Sequence, residues 1–302
     1  MSTDESASPQ NWRNRRTRLA ARLRARTPTV APGVFDMVSA RVADRIGFDV
    51  LYATGYGVSA SHLGLPDAGL ATYTDMVGRV VAFATACSTP LIADADTGYG
   101  GLLNVHHTVR GYEAAGAAGL QLEDQAFPKK CGHTPARSVV SEDEMVRKIR
   151  VALEARTHED FLIVARTDAR TEHGLDEAIG RAKAYRDAGA DLIFVESPES
   201  VAEFERIGSE VDAPLVANLV EGGRSPGVSA ATLADLGFTL VLNPLTGLAA
   251  AVHALSTSYA HLKRCGSSEG LELPLHDLED LHRLLGFEDV WAFEARWSRD
   301  PA

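Results

Sequence analysis

One short pattern returns four times along the chain: a helix end, a glycine, then an apolar run. Ile46-Gly47-Phe48-Asp49-Val50-Leu51-Tyr52 is followed by Ala115-Gly116-Ala117-Ala118-Gly119-Leu120-Gln121-Leu122, Ala188-Gly189-Ala190-Asp191-Leu192-Ile193-Phe194 and Leu236-Gly237-Phe238-Thr239-Leu240-Val241-Leu242. Glycine ends a helix because it takes the left-handed conformation without a Cβ clash. The apolar runs lack clean alternation, which marks strands buried on both faces. Four more short strands fit at Val30–Phe35, Pro90–Ala93, Phe161–Ala165 and Ala213–Ala217, with helical segments such as Glu142–Arg156 and Asp176–Ala188 between strands. Ser141 with Glu144 makes a capping-box start for the first of these helices. Eight strands alternating with helices predict a closed (β/α)8 barrel of the TIM type, usually about 250 residues. An open doubly wound sheet is the alternative, and no Gly-x-Gly-x-x-Gly follows the first strand to support it.

The barrel is expected over residues 29–262, with Leu248–Leu262 as its last helix. A polar break at Cys265–Gly270 then opens a tail, residues 263–302, that reads as helical over Leu275–Trp297. Its Leu281, Leu284, Leu285, Phe287, Trp291 and Phe293 need a surface to cover, on the barrel or on a partner subunit. Residues 1–28 form an arm with seven arginines, Arg13, Arg15, Arg16, Arg18, Arg22, Arg24 and Arg26. Leu19, Ala20, Ala21 and Leu23 punctuate them, so a short helix leaning on the body with its charges solvated is expected. A net charge of -11 argues against nucleic acid as a partner and requires local cations or a metal for an anionic substrate. No apolar run is long enough for a membrane span, and the polar amino terminus lacks the apolar segment expected of a secretory signal. Cys87, Cys131 and Cys265 are few, odd in number and far apart, which fits a reducing cytoplasm.

In such a barrel the active site lies at the carboxyl ends of the strands. There the sequence places Asp94 and Asp96, Glu123-Asp124, Arg166-Thr167-Asp168, Glu196, Asn218 and Asn243-Pro244. Polar groups directly after apolar strands, repeated six times, are improbable as a solvated face. Asp94 and Asp96, two apart on an extended chain, are expected to point the same way and, with Glu123, to hold Mg²⁺ or Mn²⁺ directly or through waters. Arg166 offers a bidentate fork for a substrate carboxylate, or a partner for Glu123 or Glu196. The loop Lys129-Lys130-Cys131-Gly132-His133 sets one thiol among two lysines and a histidine, and cationic neighbours are expected to lower its pKa.

These residues resemble the isocitrate lyase and phosphoenolpyruvate mutase superfamily from about Pro32 to the carboxyl terminus. Thr54-Gly55-Tyr56-Gly57, Leu63-Gly64-Leu65-Pro66-Asp67, the Asp94–Gly100 run, Lys129–His133 and Ala165-Arg166-Thr167-Asp168 carry the likeness, and Lys-Lys-Cys-Gly-His marks its carbon–carbon lyases. The resemblance implies a barrel whose last helix exchanges between subunits, giving a homotetramer of paired dimers. It implies Asp94, Asp96 and Glu123 as metal-site carboxylates with Asp67 nearby, and Tyr52, Thr54, Gly55 and Tyr56 around the 2-oxo-acid end. It also implies Lys130, Gly132, Arg166, Glu196, Asn218 and Pro244 at the substrate, and Cys131, with Lys129 and His133, as the acid on a closing loop. The expected activity is Mg²⁺-dependent cleavage of a small anionic 2-hydroxy dicarboxylate, an alkylmalate or a methylisocitrate-like acid, to a 2-oxo acid such as pyruvate plus a carboxylate. Tyr52 is the candidate base. The eighth-strand motif reads Asn243-Pro244-Leu245-Thr246, and Ala249 stands where methylisocitrate lyases have an arginine, which weakens the case for a tricarboxylate. A carboxyphosphonoenolpyruvate phosphonomutase, an oxaloacetate decarboxylase or hydrolase, and a non-catalytic carboxylate-binding barrel are the rival readings.

Overall fold

The computed structural model describes residues 9–298. Eight strands, β1 Thr29–Val34, β2 Leu51–Ala53, β3 Leu91–Asp94, β4 Gly119–Glu123, β5 Leu162–Thr167, β6 Leu192–Val195, β7 Leu215–Asn218 and β8 Phe238–Asn243, pair in parallel and in chain order into a closed barrel. The open sheet is thereby excluded. Helices α1 Pro9–Arg24, α2 Met37–Ile46, α3 Gly55–Val58, α4 Tyr73–Ala86, α5 Leu102–Ala114, α6 Glu142–Ala155, α7 Ala169–His173, α8 Leu175–Asp187, α9 Val201–Glu210, α10 Ala230–Asp235 and α11 Thr246–Cys265 accompany the strands. The tail is two helices, α12 Leu278–Leu285 and α13 Phe287–Trp297, where the sequence suggested one. Gly286 divides them at φ 84°, a conformation that residues with a Cβ seldom adopt. Ser141 caps α6 by accepting the Glu144 N–H, which is one half of the capping box that its spacing predicts; the Glu144 carboxylate lies instead 3.9 Å from Lys148.

Two apolar layers hold the barrel. The outer one packs strands against helices, through residues such as Phe83, Tyr112, Ile149, Tyr185 and Phe204. The inner one fills the cylinder with Ala31, Val50, Tyr52, Ile92, Leu162, Val164, Leu192, Phe194, Val216, Leu240 and Leu242, and Leu19, Ala20 and Leu23 of α1 join it. The arm is therefore a stopper in the amino-terminal mouth of the barrel. Its arginines differ from expectation, because Arg15 and Arg16 are buried. Arg15 donates to the carbonyls of Ala84 and Cys87 at the end of α4, and Arg16 donates to Ala117 and Glu113 at the end of α5. The last carbonyls of a helix lack intrahelical donors and carry partial negative charge, so guanidinium groups serve them well. Arg24 pairs with Asp160 at 2.6 Å on the rim.

Helix α11 shows the opposite balance. Only His261 of its twenty residues is buried, and α2 leaves Val38, Val42 and Ile46 exposed beside it. Leu278, Leu285, Phe287, Trp291, Phe293 and Trp297 of the tail are exposed as well. No helix among the described residues is long and apolar enough to cross a membrane.

Candidate active site

Side chains of a strand alternate between faces, so the residue two beyond an inward apolar residue also points inward. That rule builds the site. Thr54 follows Tyr52, Asp94 follows Ile92, Arg166 follows Val164, Glu196 follows Phe194, Asn218 follows Val216 and Pro244 follows Leu242. One cavity at the carboxyl ends of the strands is lined by Tyr52, Thr54, Tyr56, Asp67, Asp94, Cys131, Gly132, His133, Arg166, Glu196, Asn218 and Pro244. Phe194, Val220, Leu242 and Leu245 add apolar surface to the same cavity. Gly55 touches the site by backbone, since a Cβ there would lie 2.6 Å from Asp94 Oδ2. Lys130 lies outside, with its ammonium on the Ala136 carbonyl at 3.0 Å.

The carboxylates beneath this cavity exceed the cations. Asp67, Asp94, Asp96, Glu123, Asp168 and Glu196 face Lys129, Arg166 and Arg137, and every one of these side chains is nearly or fully buried. Burial pushes the Asp96 carboxyl up to about 7 despite Lys129 beside it. Glu123 is pushed well above the ordinary range, again chiefly by burial, against the pull of Arg166. Its Oε1 is buried with no partner, while Oε2 lies 3.5 Å from Arg166. Asp94 and Asp96 are not related by strand alternation, as the sequence suggested. The chain leaves the extended form at Asp96, with φ 48°, and the Asp96 N–H folds back onto Asp94 Oδ1 at 3.0 Å. Lys129 then bridges Asp96 at 2.7 Å and Asp67 at 2.5 Å.

No three His, Cys, Asp or Glu side chains among the described residues converge closely enough to enclose a metal by themselves. Asp94, Asp96 and Glu123 thus form a rim, not a finished coordination shell. An oxygen-only donor set, an orphaned carboxylate oxygen and an excess of buried negative charge fit a hard cation. Mg²⁺ in particular keeps several waters and takes one or two carboxylates.

Arg166 does not hold its fork free for a substrate. Nε and Nη2 donate to the two oxygens of Asp168 at 2.8 and 2.9 Å, and Nη2 lies 3.4 Å from Glu196. Asn218 donates to Glu196 at 3.2 Å, leaving its own Oδ1 buried and unpartnered. Tyr52 donates to Gln121 at 3.1 Å. Burial first, and Asp94 second, push its phenol well above the ordinary value, so this environment favours a donor over the base expected from sequence.

The Cys131 loop rests on the site. The Cys131 N–H donates to the Asp67 carbonyl at 3.1 Å, and Ser197 donates to the Gly132 carbonyl at 3.1 Å. A Cβ on Gly132 would lie 2.4 Å from Arg166 Nη2 and 2.8 Å from Glu196, so only glycine lets the loop approach so closely. The thiol pKa is raised, against the sequence expectation of a lowered one, and burial is the main cause. Lys129 is spent on Asp67 and Asp96 and Lys130 points away, so neither lysine stabilises a thiolate. Burial likewise lowers the pKa of His133. Its Nδ1 accepts the Arg224 N–H at 3.1 Å, which assigns the proton to Nε2, 3.5 Å from Glu196.

Sequence reasoning passed over Gln121, Ser197, Arg137 and the backbone of Arg224. Only Asp168 carried a signal, as the end of the Arg-Thr-Asp run. Asp124, grouped with the strand-end carboxylates, is a structural hub: it accepts from Thr167 and Tyr185 at 2.7 Å and from the Asp168 N–H at 2.8 Å.

The phosphoenolpyruvate phosphomutase family model matches residues 19–263. The 2,3-dimethylmalate lyase of Eubacterium barkeri is 46% identical over 269 residues, 89% of this chain and 93% of that protein. The 2-methylisocitrate lyase of Aeropyrum pernix is 39% identical over 270 residues, 89% of this chain and 87% of that protein. Among solved structures, oxaloacetate acetylhydrolase with 3,3-difluorooxalacetate superposes with a TM-score of 0.90 at 34% identity, over 96% of this chain and 99% of that one. Phosphonopyruvate hydrolase, solved with oxalate and Mg²⁺, gives 0.85 at 31% identity over 94% and 99%. The family model and these relatives span the barrel and the Cys131 loop, and the chain belongs to the phosphoenolpyruvate mutase/isocitrate lyase superfamily of enzymes.

Proposed function

We propose that the protein is a Mg²⁺-dependent carbon–carbon lyase of alkyl-substituted malates, acting in the cytoplasm. The observation that carries this reading is a neutral, half-buried thiol closed over a carboxylate rim, in a cavity that also holds Phe194, Val220, Leu242, Pro244 and Leu245. Those five residues suit an alkyl group. No unspent cation lines the cavity, since Arg166 is forked onto Asp168, so a third carboxylate would lie unpaired.

Asp94, Asp96 and Glu123 would hold the ion, with Asp67 and Lys129 beside them. Mn²⁺ suits the same oxygen donors. When bound, the ion lowers the pKa of the substrate 2-hydroxyl and orients the adjacent carboxylate. Thr54, Gly55 and Tyr56 border that end of the substrate. The hydroxyl proton passes to a rim carboxylate, the C2–C3 bond breaks, and its electron pair moves to C3 and the second carboxylate. Cys131 then protonates C3, and the thiolate recovers its proton from the rim carboxylate, so charge and protons balance. Tyr52 and Asn218 orient Gln121 and Glu196, and the Gly132–His133 backbone keeps water from the carbanion. From 2,3-dimethylmalate the products are pyruvate and propionate.

The test is 2-oxo acid release, read by coupled lactate dehydrogenase, from a panel of malates with Mg²⁺. Turnover of an alkylmalate supports the reading. Turnover confined to oxaloacetate, followed as oxalate formation, or to a carboxyphosphonate, followed by phosphorus NMR, would replace it with hydrolysis or phosphorus–carbon chemistry. The scarcely buried α11 and exposed tail support a homotetramer in which this helix packs on a neighbouring barrel. Light scattering would read a mass near four times 32.3 kDa.

A further inference from the structure

The Cys131 loop carries a second functional side chain, six residues beyond the thiol. Arg137 is buried, unusual for an arginine in a loop at the mouth of a barrel. Its Nη1 donates to Asp168 Oδ1 at 3.0 Å, and its Nη2 donates to Thr171 at the start of α7. Asp168 Oδ1 also receives Arg166 Nη2, and Asp168 Oδ2 receives Arg166 Nε. One carboxylate is therefore shared between an arginine of the loop and an arginine of the active-site rim.

The rest of the loop is organised around the same point. Its stem is held by the Val140 N–H on the Asp124 carbonyl and the Ala126 N–H on the Ser138 carbonyl, both at 2.8 Å. Asp124 in turn accepts the Asp168 N–H, which fixes where that carboxylate stands. At the tip, Gly132 packs against Arg166 and Glu196. The loop thus adds a second guanidinium to the Asp168 carboxylate that holds the Arg166 fork from one side, while Gly132 roofs that fork from the other.

We infer that Arg137 is a positioning residue that latches the Cys131 loop to Asp168, so that loop closure and the orientation of Arg166 occur as one event. Lysine at this position would keep the charge but can reach only one of the two acceptors. A neutral side chain leaves Asp168 its two Arg166 bonds, so the fold survives while the latch is lost.

The inference rests on the lyase reading, and two arms separate their failures. Endoproteinase Lys-C cuts after the exposed Lys130, at the bond to Cys131, only when the loop leaves the site. With Mg²⁺ and oxalate present, Arg137→Met is expected to be cut after Lys130 at least about 10-fold faster than wild type, with Arg137→Lys between them when the Lys130–Cys131 cut is read by fragment mass, apart from any cut at its new lysine; this arm needs no turnover. In the kinetic arm, Arg137→Met is expected to lower kcat about 10²-fold, the scale of a misplaced reacting group. KM should change little, and Arg137→Lys should restore part of kcat. Wild-type cleavage rates in Arg137→Met, or a loss confined to KM, would overturn the latch. If the wild type turns over no malate, the substrate reading fails and the proteolysis arm alone decides the latch.

Discussion

Cys131 shows how burial can outweigh neighbouring charge. Two lysines precede it in sequence, yet one is drawn to Asp67 and Asp96 and the other to a carbonyl, and the thiol is left neutral. Neutrality is what a proton donor requires. Because burial raises the pKa, the acid form persists to higher pH than in an ordinary thiol, and activity is expected to fall as pH climbs past the raised value. Cys131→Ser should lower kcat by about 10²–10⁴-fold and remove that alkaline limb, with oxalate binding by calorimetry unchanged. Retained wild-type kcat would dismiss the thiol. Gly132→Ala should fall about 10²-fold in turnover with an unchanged melting temperature, because its methyl group would hold the loop off Arg166 and Glu196. Thr54, Asp94, Arg166, Glu196, Asn218 and Pro244 were legible in sequence, since each lies two positions beyond an inward apolar residue. Their pairings were not, because Arg166 to Asp168 or Lys129 to Asp67 depends on which loop closes over which strand.

At the scale of elements, the glycine-terminated helices and doubly buried strands marked all eight strands within a few residues. Asp96 escaped that logic, since a positive φ turns it out of register with Asp94. The arm escaped it differently. An arginine-rich helix reads as solvated until α4 and α5 present their terminal carbonyls to Arg15 and Arg16. Its stopper role predicts that Leu19→Ala and Leu23→Ala each cost about 2–5 kcal/mol in urea unfolding. The kcat of the folded fraction should stay at wild type, because the plug lies at the mouth opposite the site. A loss below about 1 kcal/mol would show that α1 contributes little to the inner core.

The whole molecule concentrates negative charge where its proposed ligand is a cation. That excess predicts a conditional stability. At a hundred times its dissociation constant, Mg²⁺ should stabilise the fold by about 2.7 kcal/mol, seen as a melting temperature several degrees higher and reversed by chelation. Asp94→Asn or Glu123→Gln should abolish the increment, and an equal response in those variants would place the ion elsewhere. The most direct test of the lyase account is the ratio of kcat/KM for 2,3-dimethylmalate over 2-methylisocitrate in the pyruvate-release assay with Mg²⁺. A ratio well above one is the expected result. Preference for the tricarboxylate, or pyruvate from neither acid, would contradict the account.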